Sequence, residues 1–234
     1  MQAVILAAGM GKRLKELTKN NTKCMVKVNG VSLIDRMLHQ IDAVGLSRVI
    51  IVVGYEGQKL IDYIGTLNIH TPIEFINNPI YDRTNNIYSL SLAKQWLCRE
   101  DTLLFESDLI FEDSVLETII SDPRDTLALV DKYESWMDGT CLKLGENDRI
   151  EAFVPGKRVS FSERDEYFKT VNIYKTLFYE EKEYVLSRQV LKAGTSIGAN
   201  VAEAQNAQSK ADFLSKMNIA LKEATETNYW LRLL

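Results

Sequence analysis

Apolar positions along the chain fall into short blocks whose spacing changes from continuous to helical and back. Ala3 to Leu6 is an apolar run that breaks at Ala7-Ala8-Gly9-Met10-Gly11, which predicts a buried strand feeding a glycine-rich turn. From Ser32 to Val44, the residues Leu33, Ile34, Met37, Leu38, Ile41 and Val44 share one stripe of a helix, and Gly45 is placed to end it. Arg48-Val49-Ile50-Ile51-Val52-Val53-Gly54 is β-branched without alternation, the pattern of a parallel strand covered on both faces. The rhythm continues through helices at 59–64, 86–96 and 115–120 and strands at 73–76, 102–105 and 126–130. Such alternation implies βαβ crossovers and an open, mostly parallel sheet.

Between Thr140 and Ile173 the pattern turns to short strands around Asn147-Asp148 and Pro155-Gly156, which predicts an antiparallel flap laid over the sheet. Beyond about Phe178 there is no proline and no β-branched run, and Ala, Glu, Lys, Leu and Gln dominate. Two helices are expected there, broken near Gln208-Ser209, with Ser209 capping the second. The fold class is therefore α/β, a Rossmann-like three-layer, mostly parallel sheet with a small antiparallel flap, followed by an all-α helical hairpin. The expected domains are 1–178 and 179–234.

Composition narrows the functional classes. The 234 residues are 46% hydrophobic and 26% charged, enough apolar material for a folded core. A net charge of -4 gives no electrostatic case for gripping nucleic acid, although a small anion needs only a local positive pocket. Cys24, Cys98 and Cys141 lack metal-ligand spacing and read as reduced thiols. The chain shows no 18-residue apolar run, so no membrane span is expected, and the apolar start precedes its basic residues, the reverse of a secretory signal. A cytoplasmic protein is expected.

The chemistry concentrates in Leu6-Ala7-Ala8-Gly9-Met10-Gly11-Lys12-Arg13-Leu14. Glycines let backbone N–H groups approach phosphate oxygens, and Lys12 and Arg13 offer charge-assisted hydrogen bonds. From the glycines alone, a plain strand-to-helix turn is an equal reading. The segment is paired with Asn21-Thr22-Lys23-Cys24-Met25-Val26-Lys27-Val28-Asn29-Gly30. Together the two resemble the opening of the sugar-nucleotide and phosphocholine nucleotidyltransferase superfamily. The resemblance implies a nucleotide cradled by Leu6 to Lys12, with Arg13 on its phosphates and Lys23 on the α-phosphate. Cys24 departs from the small or proline-like residue usual after that lysine.

Three further segments refine the expectation. Tyr81-Asp82-Arg83-Thr84-Asn85-Asn86-Ile87-Tyr88-Ser89-Leu90 is similar to the phosphocholine and aminoethylphosphonate cytidylyltransferases. Asn85, Asn86 and Ser89 are thus candidate nucleotide contacts, since asparagine matches a pyrimidine's edge, while an Asn-rich helix cap is the alternative. Glu106-Ser107-Asp108 follows an apolar strand, and the resemblance makes Asp108 a catalytic carboxylate and a ligand of Mg²⁺, with Glu106 as fallback. Trp136 and Asp138 either hold an acceptor's ammonium or pack beneath the flap. Lys169, in a stretch resembling the aminoethylphosphonate branch, is a candidate for the acceptor's anionic head.

Residues from roughly Tyr184 to Leu234 resemble instead the four-helix-bundle proteins encoded in ribosomal RNA intervening sequences, on Gly194-Thr195-Ser196-Ile197-Gly198-Ala199-Asn200 and Ser209-Lys210-Ala211-Asp212-Phe213. Only the central helix pair of such a bundle is present. The resemblance implies that it packs on the transferase or forms a homo-oligomer. The segment also stands where this superfamily usually supplies a second metal-binding aspartate, so impaired turnover is expected. The leading reading is transfer of CMP from CTP to phosphocholine, 2-aminoethylphosphonate or a similar acceptor. The alternatives are a sugar-phosphate enzyme using another nucleotide and a non-catalytic oligomerising scaffold.

Overall fold

The computed structural model describes residues 1–11, 18, 20–134, 137, 140–155, 167–177, 200–201, 203–205 and 207–231. Its centre is β1 (Gln2–Ala7), buried except for Leu6. β1 pairs in parallel with β4 (Val49–Val53), through Ala3↔Val49 to Ala7↔Val53. On its other side it pairs in parallel with β6 (Thr102–Glu106), through Gln2↔Thr102 to Leu6↔Glu106. β5 (Ile73–Asn77) extends the parallel set beyond β4. The unalternating Val49–Val53 run is buried throughout, as a strand covered on both faces must be. A separate small hairpin joins β2 (Lys27–Val28) to β3 (Val31–Ser32), turning on Asn29 and Gly30, both at positive φ.

Beyond β6 the sheet turns antiparallel. β10 (Tyr167–Thr176) pairs antiparallel with β6, β7 (Thr126–Lys132) and β8 (Thr140–Leu144), and β8 pairs antiparallel with β9 (Ile150–Pro155). Since β10 opposes β6, and both β7 and β8 oppose β10, six of the eight strands run in one direction. The antiparallel strands thus continue the sheet's edge rather than lie over its face. A 3₁₀ turn, Glu146–Asp148, links β8 to β9 where the sequence predicts a turn, and residues 156–166 lie outside the described residues.

Helices cover both faces. α1 (Leu33–Ala43) starts at Ser32, whose hydroxyl accepts the Asp35 N–H at 3.1 Å, and ends before Gly45 at φ +66°. Its Ile34, Met37, Leu38 and Ile41 pack with Ala3, Ile5, Val49, Ile51, Leu103 and Phe105. Leu60 and Ile64 of α2 (Gly57–Ile64) and Leu116 and Ile119 of α5 (Asp113–Ser121) join that layer. The buried Lys175 of β10 donates its ammonium to the carbonyls of Ile120 and Asp122, closing the end of α5. Val4, Ile50 and Val52 face the other way, where α3 (Asn86–Leu92) packs on β1 and β4. The single helix expected over 86–96 breaks at Ala93 before α4 (Lys94–Leu97). There the Ser91 hydroxyl takes the Tyr88 carbonyl at 2.7 Å and the Ala93 N–H reaches Leu90 O, tightening the last turn.

The chain divides into two compact units, Met1–Ala93 with Glu100–Leu177, and Lys94–Arg99 with the described residues beyond 177. In the second unit, residues 200, 201 and 203–205 are helical and α6 (Lys210–Leu231) follows. The expected break and cap are present: Ser209 accepts the Asp212 N–H at 3.1 Å, and Asp212 accepts the Gln208 N–H at 3.2 Å. Ala204 and Ala220 are buried, and Lys216 pairs with Glu203 at 2.9 Å. The stripe read as a helical core is only partly covered, because Phe213, Met217 and Leu221 are exposed. Among the described residues no helix is long and apolar enough to cross a membrane.

One polar knot fixes the approach to β5. Asp42, at the end of α1, accepts the N–H groups of His70 and Thr71, the Thr71 hydroxyl at 2.7 Å and the His70 ring nitrogen at 3.0 Å. The Thr71 hydroxyl first, then His70, holds the Asp42 carboxyl well below the usual carboxylate range. A carboxyl lowered in the folded state stabilises above its unfolded value of about 3.9, and that contribution is lost as pH falls below it. Asp42→Asn is therefore expected to cost about 1–3 kcal/mol at pH 7 in urea denaturation, with the gap to the parent protein closing below about pH 4.

Candidate active site

The carboxyl ends of β1, β4 and β6 lie side by side because the three strands are parallel and in register. Leu6, Ala7 and Ala8 carry β1 to this edge, and the Ala8 carbonyl accepts the Tyr55 N–H at 3.1 Å. Gly54 makes that approach possible. A Cβ there would stand 2.8 Å from the Ala8 carbonyl and 2.7 Å from the Tyr81 Cβ, closer than carbon tolerates. Tyr55 and Tyr81 meet edge to face across this point, with ring centroids 6.1 Å apart. Gly9, by contrast, has no atom of the described residues within 4 Å of where a side chain would start.

The turn then closes on itself. Gly11 is left-handed at φ +59°, and a Cβ there would lie 2.9 Å from the Thr18 methyl and 3.2 Å from the Lys23 Cβ. The Thr18 hydroxyl donates to the Gly11 carbonyl at 3.0 Å. Met10 stands between the two glycines, half-buried. Lys12 and Arg13 lie outside the described residues, as do Trp136 and Asp138.

Lys23 opens a short 3₁₀ turn, Lys23–Met25, and its ammonium forms an ion pair with the Asp108 carboxylate just past β6. Both side chains are partly open to solvent, at 38% and 22% exposure. The structure thus brings together the glycine turn, the expected phosphate-binding lysine and the expected metal carboxylate. Cys24 points the other way, into the core. Burial first of all pushes its thiol up to about 11, against hydrogen bonds from Thr22 and Ser107, so it remains a neutral packing group.

The second carboxylate, Glu106, accepts the Asn86 side-chain amide at 3.0 Å. It lies near Tyr174, whose phenol is pushed up mainly by burial, with the Glu106 charge adding to it. Asn85 caps α3, accepting the N–H groups of Ile87 at 3.1 Å and Tyr88 at 3.4 Å. Ser89 is buried, and its hydroxyl accepts from Asn78 at 3.1 Å. Of the three candidate base contacts, Asn86 has its amide on Glu106 at the strand edge, while the side chains of Asn85 and Ser89 hold the loop. Lys169 stands on β10 opposite Asp131, four residues before Ile173, where pairing with β6 begins, and its charge reaches Cys141 on β8.

Asn78 is the residue that sequence reasoning passed over. It is buried, and its amide donates to Thr84 and Ser89 at 3.1 Å each while its carbonyl accepts the Ile80 N–H. Its own N–H reaches the Val53 carbonyl at 2.8 Å. The loop from β5 to α3 is therefore tied to the end of β4 through one side chain. The available signal was an asparagine at a strand end followed by Pro79, a pair that marks a constrained turn.

Among the described residues no group of three or more His, Cys, Asp or Glu is placed to hold a metal ion. The Asp108 carboxylate is compatible with Mg²⁺ by its chemistry: hard and partly exposed, it suits an ion that keeps several of its waters.

Comparison with known proteins gives the family and the fold. Residues 2–147 match the nucleotidyl transferase family, and residues 167–234 match the 23S rRNA-intervening sequence protein family. The chain is similar to the CMP-5'-(3-aminopropyl)phosphonate synthase of Streptomyces rubellomurinus, 28% identical over 74% of this chain and 28% of that one. It is also similar to the CTP:phosphoglutamine cytidylyltransferase of Campylobacter jejuni, 30% identical over 58% of this chain and 54% of that one. It spans between about a quarter and about half of the length of these relatives. The CTP:phosphocholine cytidylyltransferase structure from Streptococcus pneumoniae shares the fold, with a TM-score of 0.59 at 20% identity, covering 95% of this chain and 86% of that one.

Gly54→Ala must push apart the Ala8 carbonyl and Tyr81. The expected result is a loss of about 1–3 kcal/mol in urea denaturation and a smaller thermal shift on adding a nucleoside triphosphate.

Proposed function

We propose, from the premise that this chain belongs to the nucleotidyl transferase family, that it transfers CMP from CTP to a small phosphate- or phosphonate-bearing acceptor. The observation that carries this reading is the Lys23–Asp108 pair beside the glycine turn, at the common edge of β1 and β6. An acceptor oxygen attacks the α-phosphorus, the bond to the bridging oxygen breaks, and pyrophosphate leaves. Lys23, freed to turn toward the α-phosphate, stabilises the negative charge that grows there. Backbone N–H groups from Ala8 to Gly11 hold the phosphates, with Lys12 and Arg13 on the same turn in sequence. Mg²⁺, held by Asp108 and the nucleotide's own oxygens, would supply charge neutralisation. Asn86, steadied by Glu106, is the side chain we assign to reading the pyrimidine.

Two similarities support CTP and a phosphonate or phosphate acceptor. The Streptomyces relative is named for a CMP-linked aminopropylphosphonate and the Campylobacter relative for CTP and phosphoglutamine. We assign transfer to residues 1–178 and assembly to 179–234, where the exposed Phe213, Leu214, Met217 and Leu221 offer a surface for self-association. We place the protein in the cytoplasm, where CTP is available. Turnover is slow in this reading, because no acidic residue after Phe178 matches by motif the second metal-binding aspartate that this superfamily usually supplies.

The test is pyrophosphate release by the full chain with CTP and Mg²⁺, using phosphocholine or 2-aminoethylphosphonate as acceptor and UTP as the competing nucleotide. Release with CTP is expected, and Lys23→Ala is expected to lower kcat by about 10²–10³. CTP binding without release from either acceptor would favour a non-catalytic scaffold, and a preference for UTP with a sugar phosphate would favour the sugar-nucleotide reading.

A further inference from the structure

The contact between Lys23 and Asp108 joins two groups to which the transfer reaction gives different partners. The lysine belongs on a phosphate and the carboxylate on a divalent cation, yet here each satisfies the other. We propose that Lys23 is an internal counter-ion that occupies Asp108 until a nucleotide arrives, so that the site accepts a divalent cation only together with the nucleotide's phosphates. This deepens the proposed transferase reading and rests on it.

Three observations make the exchange specific. First, the base of Lys23 is held while its head is free to move. Its carbonyl accepts the Val26 N–H at 3.2 Å and its Cβ stands 3.2 Å from where a Gly11 side chain would start, but the side chain keeps 38% exposure. A four-carbon stem on a fixed turn can swing the ammonium between neighbouring anions. Second, a lone cation finds poor hospitality at this edge. Glu106 is engaged by Asn86, and among the described residues no cluster of three ligating side chains exists to compensate for displacing an ammonium. Third, the donor and the acceptor of the exchange adjoin. Gly11, the last described residue of the phosphate turn, is in contact range of the Lys23 stem. Phosphates seated on the turn draw the ammonium off Asp108 and present their own oxygens to the incoming cation. The carboxylate is thus never left unpaired, since the divalent ion replaces the ammonium.

The experiment measures Mn²⁺ binding to the full chain, without nucleotide, from the electron paramagnetic resonance signal of the free ion. The parent protein is expected to bind Mn²⁺ weakly, and Lys23→Met to bind it about tenfold more tightly, because one repelling charge is removed and one carboxylate is released. Adding Asp108→Asn to Lys23→Met is expected to abolish the gain. Lys27→Met, which removes an exposed lysine four residues along, controls for net charge and is expected to change little. Lys23→Gln serves in place of Lys23→Met if circular dichroism shows that variant unfolded. Equal Mn²⁺ affinity in the parent and both Lys23 variants overturns the proposal, as does a gain matched by Lys27→Met. These measurements need no turnover. Failure of the latch with intact pyrophosphate release leaves the transferase reading standing, whereas loss of CTP binding in the parent protein sinks that reading independently of the Mn²⁺ result.

Discussion

β1 is bonded along both sides to parallel strands, and this constraint arranges everything at the site. In a parallel ladder, neighbouring strands must finish at the same edge. Ala7 lies beside Val53 and Leu6 beside Glu106, so the chain leaves all three strands within one short row. Across the row lie Gly54 with Tyr55, then the glycine turn, then Ser107 with Asp108. Had β6 run the other way, Asp108 would lie at the far end of the sheet from Gly9. The antiparallel strands begin only at β10, on the far side of β6, where their change of direction no longer disturbs this row. Helices on both faces keep Val4, Ile5, Ile50 and Ile51 wholly out of water, which fixes the frame that the polar groups rely on.

Legibility followed the range of the interactions concerned. Val49 to Val53 reads as a doubly covered strand because the signal lies wholly within its own five apolar side chains. α1 announces itself by Ser32, its stripe and Gly45, all within one local segment. Lys23 and Asp108 were each readable from their motifs, but their mutual contact spans 85 positions and no local pattern contains it. The same limit hid where the strand around Lys169 to Tyr174 pairs. Its insertion between β6 and the β7 and β8 strands depends on pairing partners far away in sequence, so the segment read as a flap rather than as an internal strand.

The loop before α3 is a subtler case. Asn85, Asn86 and Ser89 are the residue types that recognise a base, and they are equally the types that cap helices and satisfy buried amides. The structure divides these tasks. Asn85 caps, Ser89 answers Asn78, and Asn86 is held by Glu106 at the edge. The carboxy-terminal helix presents the opposite problem. Its spacing is helical and its cap at Ser209 is readable, but periodicity does not reveal what covers a face, and Phe213 and Leu221 stand open where a core stripe was expected.

The thiol beneath Lys23 gives the site a further property. Cys24 is sealed in the apolar layer with Ile34 and Met37 and keeps its proton far beyond neutrality. A sulfur that neither ionises nor meets solvent is a poor target for peroxide, disulfide exchange or electrophiles. The lysine beside it therefore rests on a chemically inert footing, and the Lys23–Asp108 edge should keep its character whether the surroundings are oxidising or reducing.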